Sequence, residues 1–370
     1  MDNPSQYWSL AQAINTAASR ADNRQIFSAM GAQRPGPREL ALMLQPQARA
    51  HLEQMAARAK SLTARHFGNT VSLYAPLYLS NYCSSGCVYC GYASDRKQPR
   101  RKLPFDAVAR EMDALKREGF EEILLLTGER TPQADFEYVQ ACVRMASELF
   151  PQVQVEAFPM TVDEYRKLNL AGCVGVTLYQ ETYHPVVYDM MHRWGPKKDF
   201  AGRVSAPAHV LEAGMRTVGM GVLLGLSDPV VDSIALYLHA EELRKKYWRS
   251  GIAISFPRIR PQEGGFQPAH PVEDRLLAQI VFAFRIVMPD VPLVLSTREK
   301  PSFRDGMAGV GISRMSAASR TTVGGYAGAP AEDRGQFEVS DRRSVMEICD
   351  MLQAKKIEPV FKNWDAVYTG

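Results

Sequence analysis

Three cysteines fall within eight positions of the stretch NYCSSGCVYCGY (81–92), at Cys83, Cys87 and Cys90. Six cysteines in 370 residues do not make a disulfide scaffold, and a tight cluster points instead to metal or redox chemistry. A structural zinc site wants four ligands, and the nearest histidines, His66 and His184, are distant in sequence. A catalytic three-cysteine zinc site stays open, as does a trio of free buried thiols. The remaining possibility is a four-iron cluster. Such clusters usually take four thiolates, so three leave one iron open to an external ligand.

The elements that must position this loop show a rhythm. From residue 71, short apolar runs alternate with helix-like segments: VSLYAPLYL, EILLLTG, VQVEAFP, CVGVTLY, RTVGMGVLLG, GIAISFP, VPLVLST and GVGISRMSA. FDAVAREMDALKREG, TVDEYRKLNLAG and DSIALYLHAEELRKKY are among the intervening helix candidates. Eight strands over about 245 residues predict an α/β fold, a (β/α)8 TIM-type barrel, with a doubly wound open sheet as the competitor. In the barrel the cysteines follow the first strand, on the catalytic C-terminal face. Pro76 sits badly inside that strand, where it removes a ladder N–H. Residues 1–70 read as a largely polar N-terminal helical extension packed outside the core, 71–320 as the barrel, and 321–370 as a C-terminal tail packing on it.

Composition sets outer limits. The chain is 46% hydrophobic and 23% charged, ordinary for a soluble globular protein. A net charge of +4 gives no reason to expect nucleic acid. No apolar run is long enough to span a membrane and no targeting segment is visible, so a cytoplasmic location is expected.

The spacing C-x3-C-x2-C, with Tyr89 before the last cysteine, resembles the signature of radical S-adenosylmethionine enzymes. Together with LLLTGE, YQETYH, GLSD, SFPRIRP, LSTRE, FRD and GGYA, it resembles the tyrosine lyases of thiamine biosynthesis, the 2-iminoacetate synthases, over roughly residues 50–365. The resemblance implies a [4Fe-4S] cluster on Cys83, Cys87 and Cys90, whose open iron is chelated by S-adenosyl-L-methionine. It also implies that a 5′-deoxyadenosyl radical cleaves the Cα–Cβ bond of L-tyrosine to 2-iminoacetate and p-cresol. The implied partners are a thiazole synthase and an electron donor of the flavodoxin or ferredoxin kind.

The same resemblance distributes roles. Thr127, Gly128 and Glu129 stand where the superfamily has a Gly-Gly-Glu element that holds the methionine amino group; the plain alternative is a turn with Glu129 capping the next helix. Gln180 and Glu181 end the fourth strand, expected on one face, with Glu181 toward the ribose hydroxyls. Arg203 is a fork for the methionine carboxylate or else a solvated helix arginine, and Tyr89 a contact for adenine. Gly219, Gly221 and Gly225 are read as allowing close approach of the backbone to the cofactor. For the substrate carboxylate Arg298 is the first candidate, with Ser296 beside it and Arg314 as runner-up. Arg258 and Arg260 follow, one of them expected in a structural ion pair. Tyr78 resembles the aromatic that reaches the substrate amino group in related lyases, and Ser255 could assist it.

Cys142, Cys173 and Cys349 read as small hydrophobes, and the seven histidines receive no role. The basic run RKQPRRK (96–102) is either a solvated face or a landing patch for an acidic electron donor. Competing readings are the hydrogenase-maturation tyrosine lyase, whose second cluster cannot be built from Cys349 alone, and radical enzymes of menaquinone or deazaflavin biosynthesis. A non-catalytic iron–sulfur or zinc protein is the reading from a different class.

Overall fold

The computed structural model describes residues 3–328 and 334–362. The N-terminal region forms α1 (Gln6–Ala18), α2 (Asn23–Gly31), α3 (Pro37–Leu44) and α4 (Leu52–Phe67). Strands and helices then alternate: β1 (Thr70–Tyr78), α5 (Phe105–Arg117), β2 (Glu122–Leu126), α6 (Phe136–Leu149), β3 (Gln152–Glu156), α7 (Val162–Leu170) and β4 (Cys173–Glu181). After β4 come α8 (Pro185–Met191), α9 (Phe200–Glu212), β5 (Thr217–Val222), α10 (Pro229–Lys246), β6 (Gly251–Ser255) and α11 (Asp274–Val287). The series closes with β7 (Leu293–Leu295), α12 (Pro301–Met307), β8 (Arg314–Ser316), α13 (Val345–Ala354) and β9 (Glu358–Val360).

All pairings in the sheet are parallel, and β1 bonds to both β8 and β2, so eight strands close into a barrel. The open-sheet alternative is thereby removed. The strands are almost continuously buried, as expected when helices cover one face and a filled interior the other. Each strand run expected from the sequence overlaps one strand of the barrel.

Pro76 lies within β1 without breaking it. Ser72 and Tyr74 bond toward β8, through Ser72 N to Ser313 O and Ala317 N to Tyr74 O, so the Pro76 amide faces the same edge. β8 ends at Ser316, opposite Tyr74, and no donor is needed one step further on. The Pro76 carbonyl instead accepts the Tyr326 hydroxyl at 2.7 Å.

The N-terminal helices lie outside the barrel but are not a polar leader. Residues 40–44 of α3 are all buried, with α3 packed against α1, α2, α10 and α11. Gln279 of α11 donates to the carbonyls of Met43 and Gln45. Each fully buried Leu or Met there stabilises by about 1.5–3 kcal/mol, which welds the extension to the outer helices. After β8 the chain crosses the barrel mouth, bridging Val323 to Tyr78, and returns through α13 to β9. That strand pairs with Thr70–Ser72 at the start of β1. The expected extended end beyond 362 lies outside the described residues. Among the described residues no helix is long and apolar enough to cross a membrane.

Candidate active site

The loop after β1 carries the three cysteines and is held from several directions. Arg100 donates to the carbonyls of Asn81, Tyr92 and Ala93, and Arg96 to those of Cys90 and Val88. Two of the run's five basic side chains therefore point inward and knit the loop, which leaves the exposed Lys97 and Lys102 and the half-buried Arg101 as a landing patch. The segment after α8 binds the loop's other side, through Gly86 N to Trp194 O at 3.0 Å and Val88 N to Met191 O at 3.0 Å. A Cβ at Gly86 would stand 2.4 Å from the Trp194 indole.

All three thiols are free and open on one cavity at the barrel mouth. Burial pushes the Cys83 thiol up to about 11 and the Cys87 thiol higher still. Backbone donors reach two of the sulfurs, Glu129 N to Cys83 at 3.3 Å and Tyr92 N to Cys90 at 3.3 Å. Among the described residues, no three His, Cys, Asp or Glu side chains converge as they would around a single ion. Three separated thiols instead suit a multi-iron cluster, whose corners take one thiolate each.

Thr127, Gly128 and Glu129 follow β2 and line the same cavity. Thr127 N bonds to Glu156 O at 3.2 Å, extending the ladder by one step. A side chain at Gly128 would put its Cβ 2.5 Å from Tyr82 O, so only glycine lets this turn press on the cysteine loop. Glu129 caps no helix; the cap of α6 is Asp135. Its Oε1 accepts Arg203 Nη1 at 3.2 Å, whereas Oε2 is buried with no partner. Arg203 is buried, not solvated, with Nε donating to Tyr179 O at 2.9 Å. This half-finished ion pair beside the thiols leaves an acceptor for a bound ligand.

Glu181 and Gln180 separate. Glu181 lines the cavity, at φ 70° where the β4–β5 register shifts, and accepts Lys197 Nζ at 2.6 Å. Gln180 does not line it; Nε2 donates to Thr182 O at 3.4 Å. The expectation that both share a face fails because adjacent strand residues point to opposite faces, and Tyr179 and Glu181 take the cavity side. Tyr89 also lines the cavity, its hydroxyl 2.6 Å from His192 Nε2.

The other candidates divide. Arg298 lines the cavity, with its guanidinium carbon 3.4 Å from the centre of the Phe337 ring. Ser296 does not line it; its hydroxyl accepts Arg298 N at 3.4 Å within the turn. Tyr78 donates at 2.8 Å to Gln336, a residue of the cavity wall. Arg258 is the structural arginine, bonded to Glu299, Asp274 and Val272 O, while Arg260 faces the cavity with Nε unpartnered. Arg314 lies elsewhere: it pairs with Glu122, the first residue of β2, and stacks on Tyr74. Arg314 and Ser255 line a small separate cavity inside the barrel. A strand residue can face inward and still lie at the wrong height.

Gly219 and Gly221 serve that interior rather than a cofactor. A Cβ at Gly219 would meet Thr177 Oγ1 at 2.4 Å, and one at Gly221 would meet Tyr179 at 2.7 Å. Gly225 turns the chain at φ 117°.

Three cavity residues with charged or amide side chains escaped sequence reasoning. Gln336 donates to Cys90 Sγ at 3.5 Å from a tail with no periodicity, and Lys197 sits in a single 3-10 turn, Pro196–Lys198, too short to give a periodic signal. Glu156 had a signal, since an acid closing the apolar run VQVEAFP belongs at a strand's C-terminal end. Burial and the neighbouring Glu181 carboxylate push it up to about 7, against the pull of Arg298, Lys197 and Arg203.

In this parallel barrel with three cysteines after its first strand, residues 77–237 match the Radical SAM superfamily. Residues 255–358 match the Biotin and Thiamin Synthesis associated domain. The chain is 41% identical to the 2-iminoacetate synthase of Escherichia coli K12 over 90% of its length and 88% of the relative's. It is 40% identical to that of Salmonella typhimurium LT2, over 89% and 87%. It belongs to the 2-iminoacetate synthase family. Among solved structures it is similar to HydG, a maturase of the [FeFe]-hydrogenase, with a TM-score of 0.92 and 32% identity over 97% of this chain and 81% of that one.

Proposed function

We infer that this chain is a radical S-adenosylmethionine lyase that cleaves the Cα–Cβ bond of L-tyrosine to 2-iminoacetate and p-cresol for thiazole formation. The observation that carries the reading is one cavity shared by three thiols, the Glu129–Arg203 pair with its open acceptor, and Arg298. The family implies a [4Fe-4S] cluster and S-adenosyl-L-methionine, and the residues fit both: soft thiolates for iron, and polar groups of both signs for a zwitterionic nucleoside. When bound, the pair supplies a 5′-deoxyadenosyl radical.

The chain's own residues do the rest. Cys83, Cys87 and Cys90 would hold the cluster's iron. Glu129 and the backbone of Thr127 and Gly128 receive the methionine amino group, and Arg203, already locked to Tyr179 O, offers its fork to the carboxylate. Glu181 takes the ribose hydroxyls, and Tyr89 packs on adenine. Arg298 anchors the tyrosine carboxylate, with its planar guanidinium braced on Phe337 so that the amino group is presented in one pose. Holding the substrate in that one pose is what Arg298 and Phe337 would contribute, because reacting atoms must be kept about 3–3.5 Å apart and aligned. Electrons come from a flavodoxin or ferredoxin type donor, and 2-iminoacetate passes to a thiazole synthase.

Anaerobic reconstitution with iron and sulfide, reduction, and addition of S-adenosyl-L-methionine with L-tyrosine test this. Formation of 5′-deoxyadenosine together with p-cresol supports the lyase. Deoxyadenosine without p-cresol keeps the radical chemistry and moves the substrate elsewhere.

A further inference from the structure

One carboxylate in the cavity is used by neither the cysteine loop nor the Glu129–Arg203 pair. Glu156 ends β3 at the barrel rim and lines the cavity beside Tyr179, Glu181 and Arg298. Glu129 is bonded to Arg203 and Glu181 to Lys197, but among the described residues the Glu156 side chain accepts no hydrogen bond and forms no ion pair. A half-buried acid without a protein partner, in a cavity lined by charged groups, is open to a ligand's donor.

An α-amino acid carries a carboxylate and an ammonium on one carbon, so a site built for it needs a cation and an anion within one residue's reach. Arg298 is the cation in the reading above. We propose that Glu156 receives the α-ammonium of the tyrosine substrate and takes one of its protons. The inference rests on the tyrosine-lyase reading and deepens it. The step is a proton transfer only: ammonium and carboxylate become neutral amine and carboxylic acid, and no electron moves. It matters because hydrogen-atom removal from nitrogen is eased by a lone pair on that nitrogen, which an ammonium lacks.

The surroundings suit the task. Glu181 on β4 repels a negative charge on Glu156, while Arg298 after β7, Lys197 after α8 and Arg203 on α9 attract one. Tyr78 and Tyr179, also facing it, are held neutral by burial. Burial, which disfavours the charged form, together with Glu181 outweighs those cations and pushes the carboxyl up to about 7, where a general base works best at neutral pH.

The test uses anaerobically reconstituted enzyme with S-adenosyl-L-methionine bound, and calorimetric affinities for L-tyrosine and for 3-(4-hydroxyphenyl)propanoate, which lacks the amino group. Glu156→Gln should weaken L-tyrosine about 30-fold, a lost charge-assisted hydrogen bond, and leave the desamino acid and S-adenosyl-L-methionine within a few-fold. L-tyrosine affinity of the unaltered enzyme should rise from pH 6 to pH 8 as Glu156 ionises; the Gln variant should be flat, and Glu156→Asp should recover part of the slope. Unchanged tyrosine affinity and slope in the Gln variant overturn the proposal. So does joint loss of S-adenosyl-L-methionine, which would make Glu156 a support of the whole cavity. If the unaltered enzyme binds S-adenosyl-L-methionine but not L-tyrosine, the tyrosine reading itself falls and takes this inference with it.

Discussion

Asp341 and Glu129 are both buried carboxylates facing an arginine, and they are completed differently. Asp341, where the tail meets the barrel, uses both oxygens: Oδ2 accepts Arg304 Nη1 and, at 2.7 Å, Arg343 Nη2, while Oδ1 accepts Arg343 Nε at 2.9 Å. Against the effect of burial, these partners hold its carboxyl below the usual range. Glu129, at the barrel mouth, uses one oxygen and leaves the other buried and bare. An orphan atom alone marks nothing, since Arg304 Nε and Gln279 Oε1 are also unpartnered. What distinguishes Glu129 is that its open oxygen shares a cavity with three thiols, Arg298 and the unpaired Glu156. Asp341 has both oxygens filled by its own chain where it holds the fold, and Glu129 keeps one oxygen open where a ligand can complete it.

That contrast can be broken from either side. Asp341→Ala strands two arginines, one of them fully buried, and should cost about 3–5 kcal/mol in denaturant unfolding. Glu156→Gln should act in the opposite sense on the iron-free protein. Its folded pKa is raised from the ordinary 4.5 to about 7, so its contribution to stability is fully present below 4.5 and is lost as pH rises through 7. The Gln variant escapes that loss, and should match the parent near pH 4 and exceed it by about 2–3 kcal/mol at pH 8.

Smaller effects sharpen the division within the basic run. Arg100→Met removes bonds to four loop carbonyls, those of Asn81, Tyr92, Ala93 and Arg96, and should lower iron loading and also stability, by about 1–2 kcal/mol, read by iron content and thermal unfolding. Lys97→Glu, on the exposed side, should leave both unchanged. It should slow reduction by a flavodoxin-type donor only a few-fold, and more at low salt than at high.

The barrel was legible because eight apolar runs at regular spacing admit few other folds, and the cysteine loop because spacing within one turn of chain survives folding unchanged. Heights within the barrel were not legible. Arg298 follows one apolar run and Arg314 lies within another, and one faces the cavity while the other pairs with Glu122 deep in the interior; register along a strand depends on neighbours that periodicity does not name. Gln180 was misplaced for the opposite reason, since strict alternation would have separated it from Glu181. Arg100 looked like surface charge because the carbonyls it binds belong to a loop without regular structure. Gln336 reaches the site from an irregular segment and Lys197 from a single 3-10 turn, where type and position carry no periodic signal.

The most direct test of the open-carboxylate account is the affinity of iron-loaded protein for S-adenosyl-L-methionine with Glu129→Gln, which keeps an oxygen for Arg203 but removes the charge. The account predicts a loss of at least about tenfold, with thermal unfolding of the iron-free protein within a few degrees of the parent. An affinity within twofold of the parent would contradict it.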